Sequence, residues 1–450
     1  MPALRRLLRT ITTKARCFAG DRRGNVAILS ALALPALMGT FGLGTEVASW
    51  YANQRAMQNA ADSAALAAAS NGSSNYDVEA KAVTAQYGFA NGQNGVAVAV
   101  SNAAPCPAGG SNCYSVTISR SMPLILAQFV GYNGDATVAG APAKRIQAVA
   151  VATQGTVQRP YCLVTLGQSG VTLLANGAPN ADLSGCNVMS NGGATCNGHN
   201  LSADNGDAHG SNNGCGVVEH SNMPVLADPY SGLASNIPPD PCKTQYPANP
   251  YPSEPSKKND PALPSQNVLS GNQTLGSTVT VCGDMQLNGN TAITNSSGPT
   301  TLVIYNGDLD LNSYTLSTVA GSQLTIVFAG DNSYSHTPMG NGGLDIQAPT
   351  SGAWSGVAMY QAPNITQGVD ISAAGNSPTW DITGLVYLPH SQVTFSGAVN
   401  KSSNGASCFV MVSDSVRING TGSILAHGGC GQAGLQMPTN PVPGRGKLVS

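Results

Sequence analysis

The sequence predicts a mainly β protein with an N-terminal transmembrane helix. A small α+β module follows it, and then a right-handed parallel β-helix, with a β-sandwich as the alternative for that last part. Three observations predict this. Cationic charge is concentrated at one end, where residues 1–24 hold seven Lys/Arg against Asp21 alone. An uncharged stretch, Val26–Thr45, follows at once. From about Tyr161 onward, short apolar runs alternate with Asn-Gly, Ser-Gly and Gly-Asp turns, and several runs echo one another.

Composition narrows the function classes before any motif does. Only 9% of the residues are charged, where an ordinary soluble domain carries roughly 25%. Gly and Pro number 53 and 28, and aromatics are 5%, which argues against a helical enzyme with a large aromatic core. A net charge of −2, with no long basic face, argues against a nucleic-acid partner. Hydrophobic residues at 42% argue against disorder driven by charge repulsion. Polar surface must then come from amides and hydroxyls, as in many chains outside the cytoplasm.

The elements follow in order. Residues 1–24 read as a basic cytoplasmic tail and 25–45 as the transmembrane helix. Twenty residues at 1.5 Å each reach across the roughly 30 Å hydrocarbon core. The cationic flank sets the N-terminus inside, so the chain after Glu46 lies across the membrane. Pro35, Gly39, Gly42 and Gly44 are tolerated in such a helix. A cleaved signal peptide is the competing reading, and Arg22-Arg23 fits twin-arginine export only loosely. Residues 46–152 form the α+β module. EVASWYANQRAMQNAADSAALAAAS favours helix throughout, so it continues the membrane helix as one rod that ends at Asn71-Gly72. A second helix, about Asn75–Phe89, presents Val78, Ala82 and Ala85. Strands follow at Val96–Val100 and Tyr114–Ser119, then a short apolar helix at Met122–Val130, then extended chain over Asp135–Ala152.

Of the eleven cysteines, Cys17 falls on the cytoplasmic side. The other ten are Cys106, Cys113, Cys162, Cys186, Cys196, Cys215, Cys242, Cys282, Cys408 and Cys430. An even number beyond the span suits an oxidising compartment and five disulfides. Cys106 with Cys113 and Cys408 with Cys430 are the pairings that spacing suggests; the others stay open.

RRGNVAILSALALP followed by QRAMQNAADSAALAAA resembles the N-terminal domain of Tad/Flp pilus-assembly proteins of the TadG-like group, and YSVTISRSMPLILAQFVGYNGDATVAGAPA resembles the strand–helix–strand that follows there. The likeness covers about residues 20–152. It implies a pilin-like module in a single-pass bacterial inner-membrane protein whose partners are Tad/Flp pilus-assembly proteins. In related pilin-like proteins a prepilin peptidase cuts after a Gly and prefers Glu at the fifth mature position. Here Gly24 precedes Asn25, making this the candidate processing site, but the fifth residue is Leu29. An accessory or assembly role therefore fits better than a major pilin. The D-x-S-x-S metal site of some members is not matched by Ser413-Asp414-Ser415.

Residues 153–432 carry the β-solenoid reading. The echoing runs start at Thr301, Leu324, Ser355, Thr383 and Cys408, which are 23, 31, 28 and 25 residues apart. An apolar strand, a polar corner and a second strand suit stacked coils. Cys162–Gly192 reads as an earlier pair of coils. A Pro-rich excursion over 224–264 interrupts, holding eleven of the 28 prolines, and Cys242 ties it down. Residues 433–450 read as a C-terminal tail.

The search for chemistry finds no catalytic, cofactor-binding or metal residues to carry forward. Cys196, His199, His209 and Cys215 have the residue types of a zinc site, but disulfide-bonded cysteines beside exposed histidines explain them better outside the cytoplasm. Asp308-x-Asp310-x-Asn312 lacks the Gly and Glu of a calcium loop. Asp308, Asp310, Asp345 and Asp370 are the carboxylates a polysaccharide-active β-helix would use. Lys243, Lys257 and Lys258 are the only cations between Arg159 and Lys401, and all lie in the excursion, so the chain is read as no enzyme. It is read as a membrane-anchored assembly component whose β region contacts protein, cell wall or an extracellular surface. A secreted adhesin or minor pilin is the alternative. Small residues Ala27, Ala31, Ala33 and Gly39 would let the helix pack laterally.

Overall fold

The computed structural model describes residues 23–71, 75–107, 112–176, 183–247, 251–339, 341–373, 380–397, 408–419 and 430–449. All but the end of the basic tail lies outside them. The chain divides into two compact units: one runs up to Val157 and resumes at Pro443, the other is Gln158–Val442.

The first unit is built on one helix, α1 (Arg23–Asn71), which is 49 residues long, or on the order of 70 Å. Pro35 lies inside it, and the rod runs unbroken from the apolar stretch into the Ala-rich one. Its second half buries Met57, Ala60, Ala61, Ala64, Ala65, Ala68 and Ala69. Alanine at these positions leaves only a methyl on the buried face, so other elements can approach the backbone closely. The partner is an antiparallel sheet of β1 (Val96–Ala104), β2 (Cys113–Pro123), β3 (Ala136–Val138) and β4 (Ala141–Pro160). Alternation sets its inner face: Val96 and Val98, Val116 and Ile118, then Ile146, Ala148, Ala150 and Ala152 are buried.

Three details differ from the sequence reading. The second helix, α2 (Tyr76–Gln86), buries Ala80 and Thr84 and leaves Val78 exposed. Tyr76 and Val83 pack against the same core as the alanine face of α1, and Val78 is left on the outside. Met122–Val130 is not one helix, because β2 runs on to Pro123 and only Ala127–Val130 makes a 3₁₀ turn. Residues 433–450 are not simply a tail. Thr439–Leu448 is a strand next to β4 in the same sheet, and the Gly446 N–H reaches Ser70 Oγ at 3.1 Å.

In the second unit the described strand pairings are parallel. A β-sandwich of hairpins and Greek keys would pair antiparallel, so that alternative does not hold. One ladder runs Thr278 opposite Thr301, Thr301 opposite Thr325, Ile326 opposite Met359, Val357 opposite Leu385, and Leu385 opposite Val410. These are the echoing runs, stacked in chain order. The ladder then continues with an early segment: Met411 lies opposite Leu163, Leu163 opposite Val188, and Val188 opposite Gly206. The chain thus enters the ladder in its interior, runs strand by strand to one end near His220, crosses to the other end, and returns until Phe409–Asn419 pairs with its own first strands. Stacking in register aligns like side chains, as where Asn197 donates to Asn176 at 3.1 Å and Asn205 to Asn187 at 2.8 Å.

The crossing is the Pro-rich segment. Asp228 accepts the Tyr387 hydroxyl at 2.6 Å, Asn236 donates to the Ala353 carbonyl at 2.7 Å, Pro238 accepts the Tyr305 hydroxyl, and Cys242 is bonded to Cys282. Pro252 accepts from the Asp284 N–H at 2.8 Å. It is a strap laid across successive layers. That explains why Leu324–Ala329, Val357–Gln361 and Phe409–Ser413 are buried at every position: one face looks into the stack and the other is covered. The scarce aromatics gather on the covered side, where Tyr360 stacks on Tyr387 with centroids 5.2 Å apart and Trp354 and Tyr230 close the row.

Candidate functional site

Among the described residues, the first half of α1 gathers the longest run of exposed large apolar side chains. Leu29, Leu32, Leu34, Leu37, Met38 and Phe41 are all exposed, and Ala31, Ala33 and Gly39 share that exposure. It is long and apolar enough to cross a membrane. Gly24 and Asn25 lie in its first turn, and Ala27 follows.

Where the apolar half ends, Glu46 turns inward. Its carboxylate accepts the N–H groups of Ile125, Leu126 and Ala127, each at 2.8 Å. These are unpaired donors at the start of the 3₁₀ turn, and a carboxylate is their natural partner. Farther along, Gln58 Nε2 donates to the Val149 carbonyl at 2.9 Å, and Arg120 donates to Asn53 at 3.1 Å. The helix is therefore seated on its sheet by a few polar contacts at its edges and by alanines at its centre.

Five disulfides join the ten cysteines placed beyond the span: Cys106–Cys113, Cys162–Cys186, Cys196–Cys215, Cys242–Cys282 and Cys408–Cys430. With Cys196 and Cys215 bonded to each other, no thiolate remains for zinc at that cluster. His199 Nδ1 accepts the Leu201 N–H at 3.0 Å, and His209 Nδ1 meets the Met223 carbonyl at 2.8 Å. Among the described residues no group of three or more His, Cys, Asp or Glu is placed to hold a metal.

The acidic residues brace turns between layers. Asp284 accepts from the N–H groups of Asp308 at 3.0 Å and Glu254 at 2.8 Å. Asp308 accepts the Thr337 N–H at 2.7 Å, and Asp310 that of Asn312 at 2.8 Å. Asp345 sits opposite Ser317 and Asp381, and Asp370 opposite Thr394 in a different ladder. The four are not gathered round one opening.

Glu254 is moved into the physiological range. Burial, reinforced by the hydrogen bond and charge of Asp310, pushes its pKa up to about 7. Burial also pushes Asp310 up, but hydrogen bonds from Glu254, Asn312 and Gln286 outweigh it and hold it low. Glu254 therefore keeps the proton that Asp310 gives up. A folded pKa raised from 4.5 to about 7 contributes stability that is complete below the lower value and is lost as pH rises through the upper one. The unfolding midpoint of the full chain, followed by the fluorescence of buried Trp354 and Trp380, should fall between about pH 5 and pH 8. Glu254→Gln should flatten that slope; an unchanged slope in the variant would refute the assignment.

Sequence reasoning missed one buried charge network. Asp207 is almost fully buried and takes both Oδ atoms to Arg159 Nη1, at 2.6 and 2.7 Å, with the Tyr161 hydroxyl on Oδ2 at 2.5 Å. Asp207 stands in a run of Asn, Gly and His that reads as open loop, so only the stacking reveals it. The signal that was available is Arg159 itself, a lone cation followed at once by buried Tyr161 and Cys162.

Residues 24–71 match the Tad family model, Flp pilus-assembly TadE/G-like. The match coincides with α1, apolar half and alanine half together. No curated protein and no solved structure matches the chain.

Proposed function

We propose that this chain is a membrane-anchored accessory or assembly component of a Tad/Flp, type IV-like pilus. The single observation that carries this is the coincidence of the family match at residues 24–71 with a helix whose first half is exposed and apolar and whose second half is seated on a sheet by alanine. Such a helix suits two neighbours, lipid or other membrane helices first and its own module second, as a pilin-like subunit requires. The basic residues before it support a cytoplasmic N-terminus and a body beyond the inner membrane. The five disulfides support an oxidising compartment there. The parallel stack of the second unit is, in this reading, a right-handed β-helix that offers rows of amides and hydroxyls to another protein, the cell wall or an external surface. No catalytic role is assigned, because Asp284, Asp308 and Asp310 are engaged by backbone N–H groups and Asp345 and Asp370 lie in different ladders.

Gly24 at the head of the helix favours a second reading, a processed minor pilin or adhesin. One experiment separates the two. As an anchored component the full-length chain should stay in the membrane fraction after carbonate extraction, its body should be cut by protease added from the periplasmic side, and its deletion should reduce surface pili. Mass spectrometry that finds Asn25 as the N-terminus, with the protein in sheared pili, would favour the second reading. A full-length, untethered chain with reduced cysteines would sink both.

A further inference from the structure

The first unit exposes a second apolar surface besides the helix. In the loop between β2 and β3, Ile125 is 71% exposed, Phe129 86% and Val130 58%. Three such side chains exposed within one six-residue stretch are costly in water and call for a cover. The loop is not free to fold away, because Glu46 holds its three N–H groups. Leu126 closes against the helix at Gly42, where any Cβ would lie 2.6 Å from the Leu126 Cδ1. That close approach is what glycine at position 42 permits. Leu126 and the helix residues Leu34, Leu37, Met38, Phe41 and Gly42 together line one groove of about 680 Å³. Beside it, Trp50 and Tyr132 pair with ring centroids 6.0 Å apart, and aromatic pairs of this kind favour the headgroup level of a bilayer.

The height of this loop is set by the helix. The uncharged stretch ends at Thr45, and its twenty residues match a hydrocarbon core of about 30 Å. Gly42 and Glu46 therefore lie at its boundary, and the loop clipped to them lies there too. We infer that the Leu124–Tyr132 loop dips into the lipid leaflet on the side of the membrane where the first unit lies, with Ile125, Phe129 and Val130 among the upper acyl chains. The occupant is lipid rather than a protein because the exposed loop residues are continuous, through Leu126, with the helix surface already assigned to the bilayer. The inference rests on the anchoring reading and adds to it a second, shallow attachment that fixes how the module stands on the membrane.

The test uses the full chain with Phe129→Trp, reconstituted in phosphatidylcholine vesicles, after subtracting the emission of the unaltered chain. Position 129 is exposed, so the change leaves the core intact. Flotation with the vesicles comes first. The added Trp should then emit at short wavelength, lose most of its emission to lipids brominated on the upper acyl carbons, and resist aqueous acrylamide. Failure to float would overturn anchoring and the dipping loop together. Flotation with a Trp open to acrylamide and blind to bromolipid would overturn the loop alone. A Trp shielded from both quenchers would mean that a second copy of this chain covers it, which also overturns the inference.

Discussion

Arg159→Met is expected to destabilise the second unit by about 3–5 kcal/mol, because it leaves a buried carboxylate without its cation. The Asp207 side chain has no exposure and that of Arg159 little. Water cannot replace the lost guanidinium at the inner oxygens, so Asp207 would keep only the Tyr161 hydroxyl. Tyr161 offers no substitute charge, since burial and the neighbouring Asp207 both push its pKa upward and keep it a neutral donor. The loss is a large share of the 5–15 kcal/mol that typically holds a domain together. Chemical denaturation of the full chain, read through Trp354 and Trp380, should show the drop in midpoint. Adding Asp207→Asn to Arg159→Met removes the orphaned charge while an amide oxygen still accepts from Tyr161, so most of the loss should return. A double variant as weak as the single one would show that Arg159 matters for its packing and not for its charge.

That network also shows where a sequence stops being legible. The strands of the second unit could be read because each repeats a local pattern, an apolar run closed by Asn-Gly or Gly-Asp, and the runs from Thr301 to Cys408 do pair in parallel and in chain order. The alanine tract could be read as helix because propensity and pattern agree. What could not be read is any feature that depends on which strand meets which. Nothing local in Cys162–Asn176 indicates that it will lie beside Phe409–Asn419 rather than beside Val268–Leu275. Asp207 was invisible for that reason, since its burial comes from neighbours 46 and 48 residues away. The aromatics mislead in the same way. Their low number suits a narrow core, but Tyr360, Tyr387 and Trp354 form a row on the strap side. In the first unit, the face of α2 could not be read because Val78 and Val83 are equally apolar and lie on different sides, and only packing shows that Ala80, Val83 and Thr84 face inward while Val78 is exposed. The loop at Ile125 was readable as apolar but not as exposed, because its place is fixed by Glu46 from 79 residues away.

Removing the Cys242–Cys282 bond should have the other large effect, and its form follows from the route of the strap. The bond spans 40 residues, and in the loop-entropy account a closure of that length restricts the unfolded chain by about 4 kcal/mol. It also acts locally. Cys282 ends Thr278–Cys282, whose described ladder partner lies on one side only, so the bond fastens the strap at a terminal layer of the stack. Upstream, Asp228, Asn236 and Pro238 hold their own contacts to Tyr387, Ala353 and Tyr305. Downstream, Pro252 and Glu254 hang on Asp284. With Cys242→Ser and Cys282→Ser together, the first set should stay and the second should loosen. Trypsin should then cut at Lys257 and Lys258 well before it cuts the stack, while the denaturation midpoint falls. Cys196→Ser with Cys215→Ser removes the closure of a different loop at the opposite part of the stack and should lower the midpoint without opening those sites. Equal cutting in both variants would mean that the strap is held by its polar contacts, and that the disulfide acts through the unfolded chain alone.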